Sequence, residues 1–157
     1  MTRYNCNSRY SICKLRSPRF AAMTAGAARP YSILIADDDP SNREALREIV
    51  EPEGYRTVLA SSGEEALDLL GEESVHLALF DMHMPRMSGV EAVEIVHHIN
   101  ALLPCILVTA DPNEEVLRQA FRVHVYSVIP KPVSKNILLY TMVRALMKVY
   151  GDLFSNE

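Results

Sequence analysis

Short apolar segments alternate along most of the chain with longer segments whose apolar residues are spaced as in a helix. Most of the short segments are continuously apolar rather than alternating with polar residues. Continuous runs of this length are typical of parallel strands that are covered on both faces. The five predicted strands are Ile33–Ala36, Tyr55–Leu59, Val75–Phe80, Pro104–Val108 and Val125–Ile129.

The segments between these strands have the spacing and the end signals of helices. Pro40 and Ser41 open the first, which Pro52 and Gly54 end. The second is a short helix that Gly71 stops. The remaining three are a helix through Val93, Val96 and Ile99, a helix over Asn113–Phe121 and a last helix over Val133–Tyr150. Alternation of five strands with five helices predicts an α/β fold, a doubly wound parallel sheet with helices on both faces.

The charge divides the chain in two. Residues 1–29 hold six of the 16 basic residues and none of the 20 acidic ones, so the remainder has 10 basic and 20 acidic residues and a net charge of −10. A domain with this charge is repelled by nucleic acid and by anionic membranes, but it attracts cations. No apolar run approaches the roughly 18 residues of a membrane-spanning helix.

The first 29 residues lack apolar periodicity and are predicted to form a disordered basic extension. Three interpretations remain open: an organelle transit peptide, a basic tail that contacts an acidic surface, and a start codon assigned too early, with translation beginning at Met23. The folded domain is predicted over residues 30–152, followed by a short tail at 153–157. Three scattered cysteines form no disulfide framework, which indicates a reducing, cytoplasmic location, and Cys105 is expected in the core.

Polar residues with related chemistry follow four of the predicted strands. Asp37 and Asp38 follow the first strand, Asp81 the third, Thr109 the fourth and Lys131 the fifth. In an open parallel sheet these ends meet at one edge, where ligands bind. Two carboxylates about 4 Å apart repel by about 4 kcal/mol at an effective dielectric of about 20, so the cluster predicts a bound cation.

A donor set made only of oxygens suits a hard ion such as Mg²⁺. A carboxylate beside Mg²⁺ can act as a nucleophile toward phosphorus, and a lysine and a hydroxyl such as Lys131 and Thr109 can stabilise the transferred group. Each residue also has a purely structural interpretation as a turn, loop or cap residue. For Asp39 we favour that interpretation, as a helix cap.

These residues and the segments around them resemble the receiver domain of two-component response regulators. The similar segments are ILIADDDP, LALFDMHMPRMSG, ILVTA and VIPKPV, and the resemblance covers about residues 31–150. It implies a flavodoxin-like strand order 2-1-3-4-5 and a cis peptide bond between Lys131 and Pro132. It also implies Asp81 as phosphoacceptor, with Asp37, Asp38, Asp81 and the main-chain carbonyl of His83 binding Mg²⁺, or alternatively Mn²⁺, and Thr109 and Lys131 contacting the phosphoryl group.

A receiver of this type takes a phosphoryl group from a sensor histidine kinase or a histidine phosphotransfer protein. It catalyses only its own phosphorylation and dephosphorylation, and it is not a turnover enzyme. One position departs from the family pattern: Val128 stands where a Tyr or Phe is usual. Tyr126, two residues earlier, is expected to share its face of the strand.

Two alternatives remain. Asp37–Ser41 faintly resembles the Asp-x-Asp motif of haloacid-dehalogenase-type phosphatases, with Asp37 as nucleophile and Asp39 as acid/base. That interpretation gives Asp81 no role. A degenerate receiver that acts only as a docking module is the other alternative.

The last helix is unusually apolar around its circumference. Between Ile137 and Tyr150 the only residues that are not apolar are Thr141, Arg144 and Lys148, which form one narrow stripe. This pattern predicts an exposed apolar strip for a homodimer or for a downstream protein. The alternative is a helix that is sunk in a broad core or covered by the N-terminal extension. The resemblance favours this surface, because such receivers often signal through the face made by the fourth helix, the fifth strand and the fifth helix.

Overall fold

A computed structural model describes residues 31–151, which form one sheet with helices on both sides. All neighbouring strands are parallel and their order is β2-β1-β3-β4-β5. The predicted fold class and strand order are therefore confirmed. The strands are β1 (Ser32–Ala36), β2 (Arg56–Ala60), β3 (Leu77–Asp81), β4 (Cys105–Thr109) and β5 (Ser127–Pro130).

Five helices connect and follow the strands. They are α1 (Pro40–Val50), α2 (Gly63–Glu72), α3 (Gly89–Ile99), α4 (Glu114–Arg122) and α5 (Lys135–Tyr150). Every helix begins after a polar residue whose side chain accepts a hydrogen bond from a backbone N–H of the first turn, which satisfies a donor that the helix leaves free. These cap residues are Asp39, Ser62, Ser88, Asn113 and Ser134.

The sheet separates two apolar cores, because successive strand residues point to opposite faces. On one face Leu34 packs with residues of α2, α3 and α4, and on the other Ile33 packs with residues of α1 and α5. Cys105 is buried in the first of these cores, as predicted, and burial raises the pKa of its thiol to about 12. The buried thiol is therefore a packing residue.

Two local predictions were wrong. Helix α2 continues through Gly71 and ends at Glu72, since Gly71 does not take the left-handed conformation that ends many helices. Tyr126 does not share a face with Val128: Tyr126 packs in the α1 and α5 core and Val128 in the opposite one. The two-residue alternation holds only inside a strand, and Tyr126 lies before Ser127, where β5 begins.

Helix α5 buries one face and exposes large apolar side chains on another. Its buried residues are Leu138, Met142, Ala145, Leu146 and Tyr150. Ile137, Tyr140 and Met147 are 54%, 65% and 46% exposed. We call these three residues the α5 patch.

None of the helices within residues 31–151 combines the length and the apolar character that crossing a membrane requires. The predicted N-terminal extension and C-terminal tail lie outside the described residues.

Candidate functional site

Three carboxylates meet at the carboxyl edge of the sheet. Asp37 and Asp38 follow β1, Asp81 is the last residue of β3, and one oxygen of each lies within 4.8 Å of the others. Asp37 and Asp81 are buried, at 1% and 6% exposure, whereas Asp38 is exposed. The cluster therefore has two buried carboxylates and one that faces solvent.

Asp37 is fixed through its backbone and its side chain. Its N–H donates to the carbonyl of Ala60 at 3.1 Å, which extends the β1–β2 pairing by one residue, and its Oδ1 accepts from the N–H of Asp39 at 2.9 Å. Burial raises the pKa of Asp37; the Asp39 N–H and the charge of Lys131 oppose this effect, and the charge of Asp81 adds to it. Burial and the charge of Asp81 therefore disfavour the ionised form of Asp37, and a bound metal cation would favour it.

Lys131 reaches the carboxylates from the loop after β5. Its Nζ lies 3.1 Å from Oδ1 of Asp81 and 3.4 Å from Oδ2 of Asp37. The Lys131–Pro132 peptide bond is cis, as the family resemblance implied. Burial disfavours the ammonium charge, but the hydrogen bond to Asp81 and the charges of both carboxylates raise the pKa of Lys131 overall. The side chain is therefore a cation at neutral pH.

Thr109 ends β4, beside the strand that carries Asp81, and is fully buried. Its carbonyl accepts from the Lys131 N–H at 2.8 Å, which ties the two predicted site residues together. Its Oγ1 accepts from the Asp111 N–H at 3.1 Å, while the cap of α4 is Asn113. Thr109 is therefore not the cap of α4, and its hydroxyl proton remains for donation.

The remaining candidates lie at the margins of the site. Asp39 accepts from the Ser41 N–H at 2.9 Å, so it caps α1. His83 lies in the loop two residues after Asp81 with an exposed side chain, and the role of its carbonyl stays a prediction.

The donor set fits Mg²⁺ well. Three carboxylates and one ammonium leave the described part of the site with a net charge of −2, and all the candidate ligands are oxygens. Hard divalent ions prefer such ligands, and Mg²⁺ keeps several waters, which the open side at Asp38 allows. Asp37, Asp38 and Asp81 are the residues that could hold it.

Two contacts that shape the site were not predicted from the sequence, although Gly89 is the last residue of the motif LALFDMHMPRMSG. Arg43, in α1, donates from Nη1 to the Asp37 carbonyl at 2.7 Å. Gly89 begins α3, and its N–H donates to the Met82 carbonyl at 2.9 Å, directly behind Asp81. The spacing of six residues between Asp37 and Arg43, just after a predicted helix start, could have indicated the first contact, but arginine at such a position is usually solvated.

Comparison with known proteins matches most of the described residues to one family. The response regulator receiver domain model matches residues 33–143. Response regulator RR06 of Streptococcus pneumoniae is 31% identical over 119 residues, which are 76% of this chain and 54% of that protein. Sensor histidine kinase RcsC of Salmonella typhimurium is 29% identical over 119 residues, which are 76% of this chain and 13% of that protein. The chain thus spans about half or less of these curated relatives.

A solved structure of a CheY-like response regulator receiver domain protein from Methanospirillum hungatei is 30% identical to this chain. It superposes with a TM-score of 0.74 and covers 78% of this chain and 98% of that one. Chemotaxis protein CheY4 of Vibrio cholerae, at 26% identity, gives a TM-score of 0.71 over 73% of this chain and 98% of its own. With its sheet order, its acidic cluster and the matched residues in agreement, the chain belongs to the response regulator receiver domain family.

Proposed function

We propose that this chain accepts a phosphoryl group on Asp81, in a Mg²⁺-dependent reaction with a phosphohistidine of a partner protein. The observation that carries the proposal is the position of Asp81 at the end of β3, inside the carboxylate cluster and 3.1 Å from Lys131. Receiver membership and the oxygen donor set support it.

In the proposed reaction an oxygen of Asp81 attacks phosphorus, and the bond from phosphorus to the histidine nitrogen breaks. The electron pair of that bond and a proton from solvent go to the leaving imidazole. Mg²⁺, when bound, supplies positive charge to the phosphoryl oxygens. Lys131 stabilises a phosphoryl oxygen with its ammonium, and Thr109 donates its hydroxyl proton to another. Water then attacks the phosphorus of the aspartyl phosphate, the bond to the carboxylate oxygen breaks, and phosphate leaves while the Asp81 carboxylate is regenerated. We propose that the chain catalyses only these two reactions on itself.

Asp37 is a poorer nucleophile than Asp81 in this arrangement. Both of its oxygens are occupied, Oδ1 by the Asp39 N–H and Oδ2 by Lys131. In Asp81 only Oδ1 contacts Lys131, and Oδ2 accepts no hydrogen bond from residues 31–151. The phosphatase alternative also needs Asp39 as a free acid/base, but Asp39 is engaged as the cap of α1.

Acetyl phosphate with Mg²⁺, followed by mass spectrometry of peptides, tests the proposal. We expect one phosphoryl group per chain, on Asp81, and none when a chelator removes Mg²⁺. Phosphate on Asp37 would support the phosphatase alternative, and no phosphate on any residue would support a docking module. Either result would overturn the proposal.

We propose a sensor histidine kinase or a histidine phosphotransfer protein as the donor, in the cytoplasm. The relative RcsC is named a sensor histidine kinase, and a segment of it is similar to this chain. The net charge of −10 outside residues 1–29 disfavours nucleic acid and anionic membranes as direct partners.

Output is proposed to pass through the α5 patch, either to a second copy or to a downstream protein. Arg144 lies over the Tyr140 ring at 5.8 Å, so the patch combines apolar area with a cation. With Val128 at the usual aromatic position, we expect association that is partly constitutive and only modestly strengthened by phosphate.

Sedimentation velocity with and without beryllofluoride, a phosphoryl mimic, measures this association. Tyr140→Ser should weaken it by removing an exposed aromatic group from the patch. Leu102→Ser is the matched control, because Leu102 is 74% exposed in the loop after α3. A strict monomer in both states would exclude the dimer and leave a downstream protein as the partner.

A further inference from the structure

We propose that Arg43 is a positioning residue for the metal site, which it serves by fixing the peptide group between Asp37 and Asp38. This inference rests on the proposed function, since it concerns the cation that the carboxylate cluster would hold. Within residues 31–151 Arg43 forms no hydrogen bond or ion pair with a carboxylate of the cluster, so its effect passes through the main chain.

The hydrogen bond from Arg43 is short, and its acceptor lies between two carboxylates of the cluster. Arg43 is partly buried on α1, and its Nη1 donates to the Asp37 carbonyl at 2.7 Å. A hydrogen bond from a charged donor is stronger than one between neutral groups. The acceptor belongs to the peptide group that joins Asp37 to Asp38. Because that group is planar, holding its oxygen also sets the direction in which the Cα of Asp38 leaves it.

The position of Asp38 depends on the hydrogen bond from Arg43 more than the position of Asp37 does. The side chain of Asp37 is held by the Asp39 N–H and by Lys131, and its N–H is held by Ala60. The carboxylate of Asp38 is exposed and accepts no hydrogen bond within residues 31–151, although it belongs to the cluster. Its place beside Asp37 and Asp81 is therefore set by the backbone, and Arg43 restrains that backbone from the side.

The charge of Arg43 acts in the opposite direction. A guanidinium near the cluster disfavours a second cation, so by charge alone its removal would strengthen Mg²⁺ binding. The pKa of Glu65 is lowered mainly by hydrogen bonds from the Ser61 hydroxyl and N–H; burial opposes this effect, and the charge of Arg43 lowers the pKa further. Glu65 thus lies within electrostatic reach and offsets part of that charge. The sign of the change in Mg²⁺ affinity separates the two effects.

The experiment compares Mg²⁺ affinity, measured by calorimetry, in wild type and in the variants Arg43→Met and Arg43→Lys. Met removes the donor and the charge and keeps a good helix former. We expect Arg43→Met to bind Mg²⁺ about tenfold more weakly, the lower end of the range for residues that orient metal ligands. Lys can still donate one hydrogen bond, so Arg43→Lys should recover most of the affinity. Unchanged or tighter binding by Arg43→Met would overturn the inference.

Arg47→Met is the matched control. Arg47 lies one turn further along α1 and pairs with Glu44 at 3.5 Å and with Glu51 at 3.3 Å, both on the surface. Arg47→Met makes the same change in charge and composition as Arg43→Met, and we expect it to bind Mg²⁺ with wild-type affinity. If Arg43→Met does not fold by circular dichroism, Arg43→Gln replaces it, with the same expected loss because glutamine is too short to reach the carbonyl.

A second measurement distinguishes positioning from general damage. At saturating Mg²⁺, Arg43→Met should accept the phosphoryl group of acetyl phosphate on Asp81 to the wild-type extent. We expect this because Asp81 and Lys131 are not held by Arg43. A reduced extent at saturation would overturn the inference. If wild type itself neither binds Mg²⁺ nor labels Asp81, the proposed function fails. If wild type does both and Arg43→Met binds equally well, only the role of Arg43 fails.

Discussion

An Asp81→Asn variant is expected to take up no phosphate from acetyl phosphate while keeping its fold. The amide has no anionic oxygen to attack phosphorus, yet it matches the carboxylate in shape. Lys131 loses the negative charge of its partner at 3.1 Å, although the amide oxygen can still accept its hydrogen bond, and it keeps the Asp37 carboxylate at 3.4 Å. Since one of three clustered carboxylates is removed, the repulsion in the metal-free site falls, and the free energy of unfolding should hold or rise slightly.

Peptide mass spectrometry gives the phosphate content, and thermal melting in a chelator gives the stability. Asp39→Asn is the control, because Asp39 caps α1 and asparagine caps equally well. The control makes the same chemical change at the residue directly after Asp38, outside the cluster, and it should be phosphorylated like wild type. Stoichiometric phosphate on Asp81→Asn would show that Asp81 is not the acceptor.

The fold could be predicted because parallel strands that are covered on both faces have continuously apolar sequences. Ile33–Ala36 and Val75–Phe80 became the central strands β1 and β3 with bounds shifted by one or two residues. The convergence of Asp37 and Asp81 followed from topology alone, because the carboxyl ends of parallel strands share an edge.

What could not be predicted depends on contacts between elements. Tyr126 lies one residue before β5, which begins at Ser127. The two-residue alternation of a strand therefore does not determine which face of the sheet Tyr126 contacts. The bond from Arg43 to Asp37 depends on the angle at which α1 leaves its loop. The positions of its apolar residues showed that α5 is apolar around most of its circumference, but only packing separates the buried Leu138 from the exposed Tyr140.

Gly89→Ala is expected to destabilise the protein and to damage the site at the same time. A Cβ built on Gly89 would lie 2.5 Å from the carbonyl oxygen of Asp81 and 2.8 Å from Cδ2 of Leu107. The leucine methyl can rotate away, but the oxygen belongs to the backbone of β3. Either α3 or the end of β3 must therefore shift. Overpacking of this kind costs about 1–3 kcal/mol, and at about 2–4 °C per kcal/mol for a chain of this size we expect the melting temperature to fall by about 2–12 °C.

The same displacement should slow phosphorylation, because Asp81 is the residue whose backbone is pushed. Gly71→Ala provides the control: nothing lies within 4 Å of a Cβ at Gly71, which sits in α2 and is exposed. Alanine is the better helix former, so this variant should gain about 0.5–1 kcal/mol and be phosphorylated like wild type. The two variants add the same methyl group, and they differ only in what that group meets. If Gly89→Ala melted with wild type and took up phosphate at the same rate, the close approach of α3 to Asp81 would not be a constraint on the site.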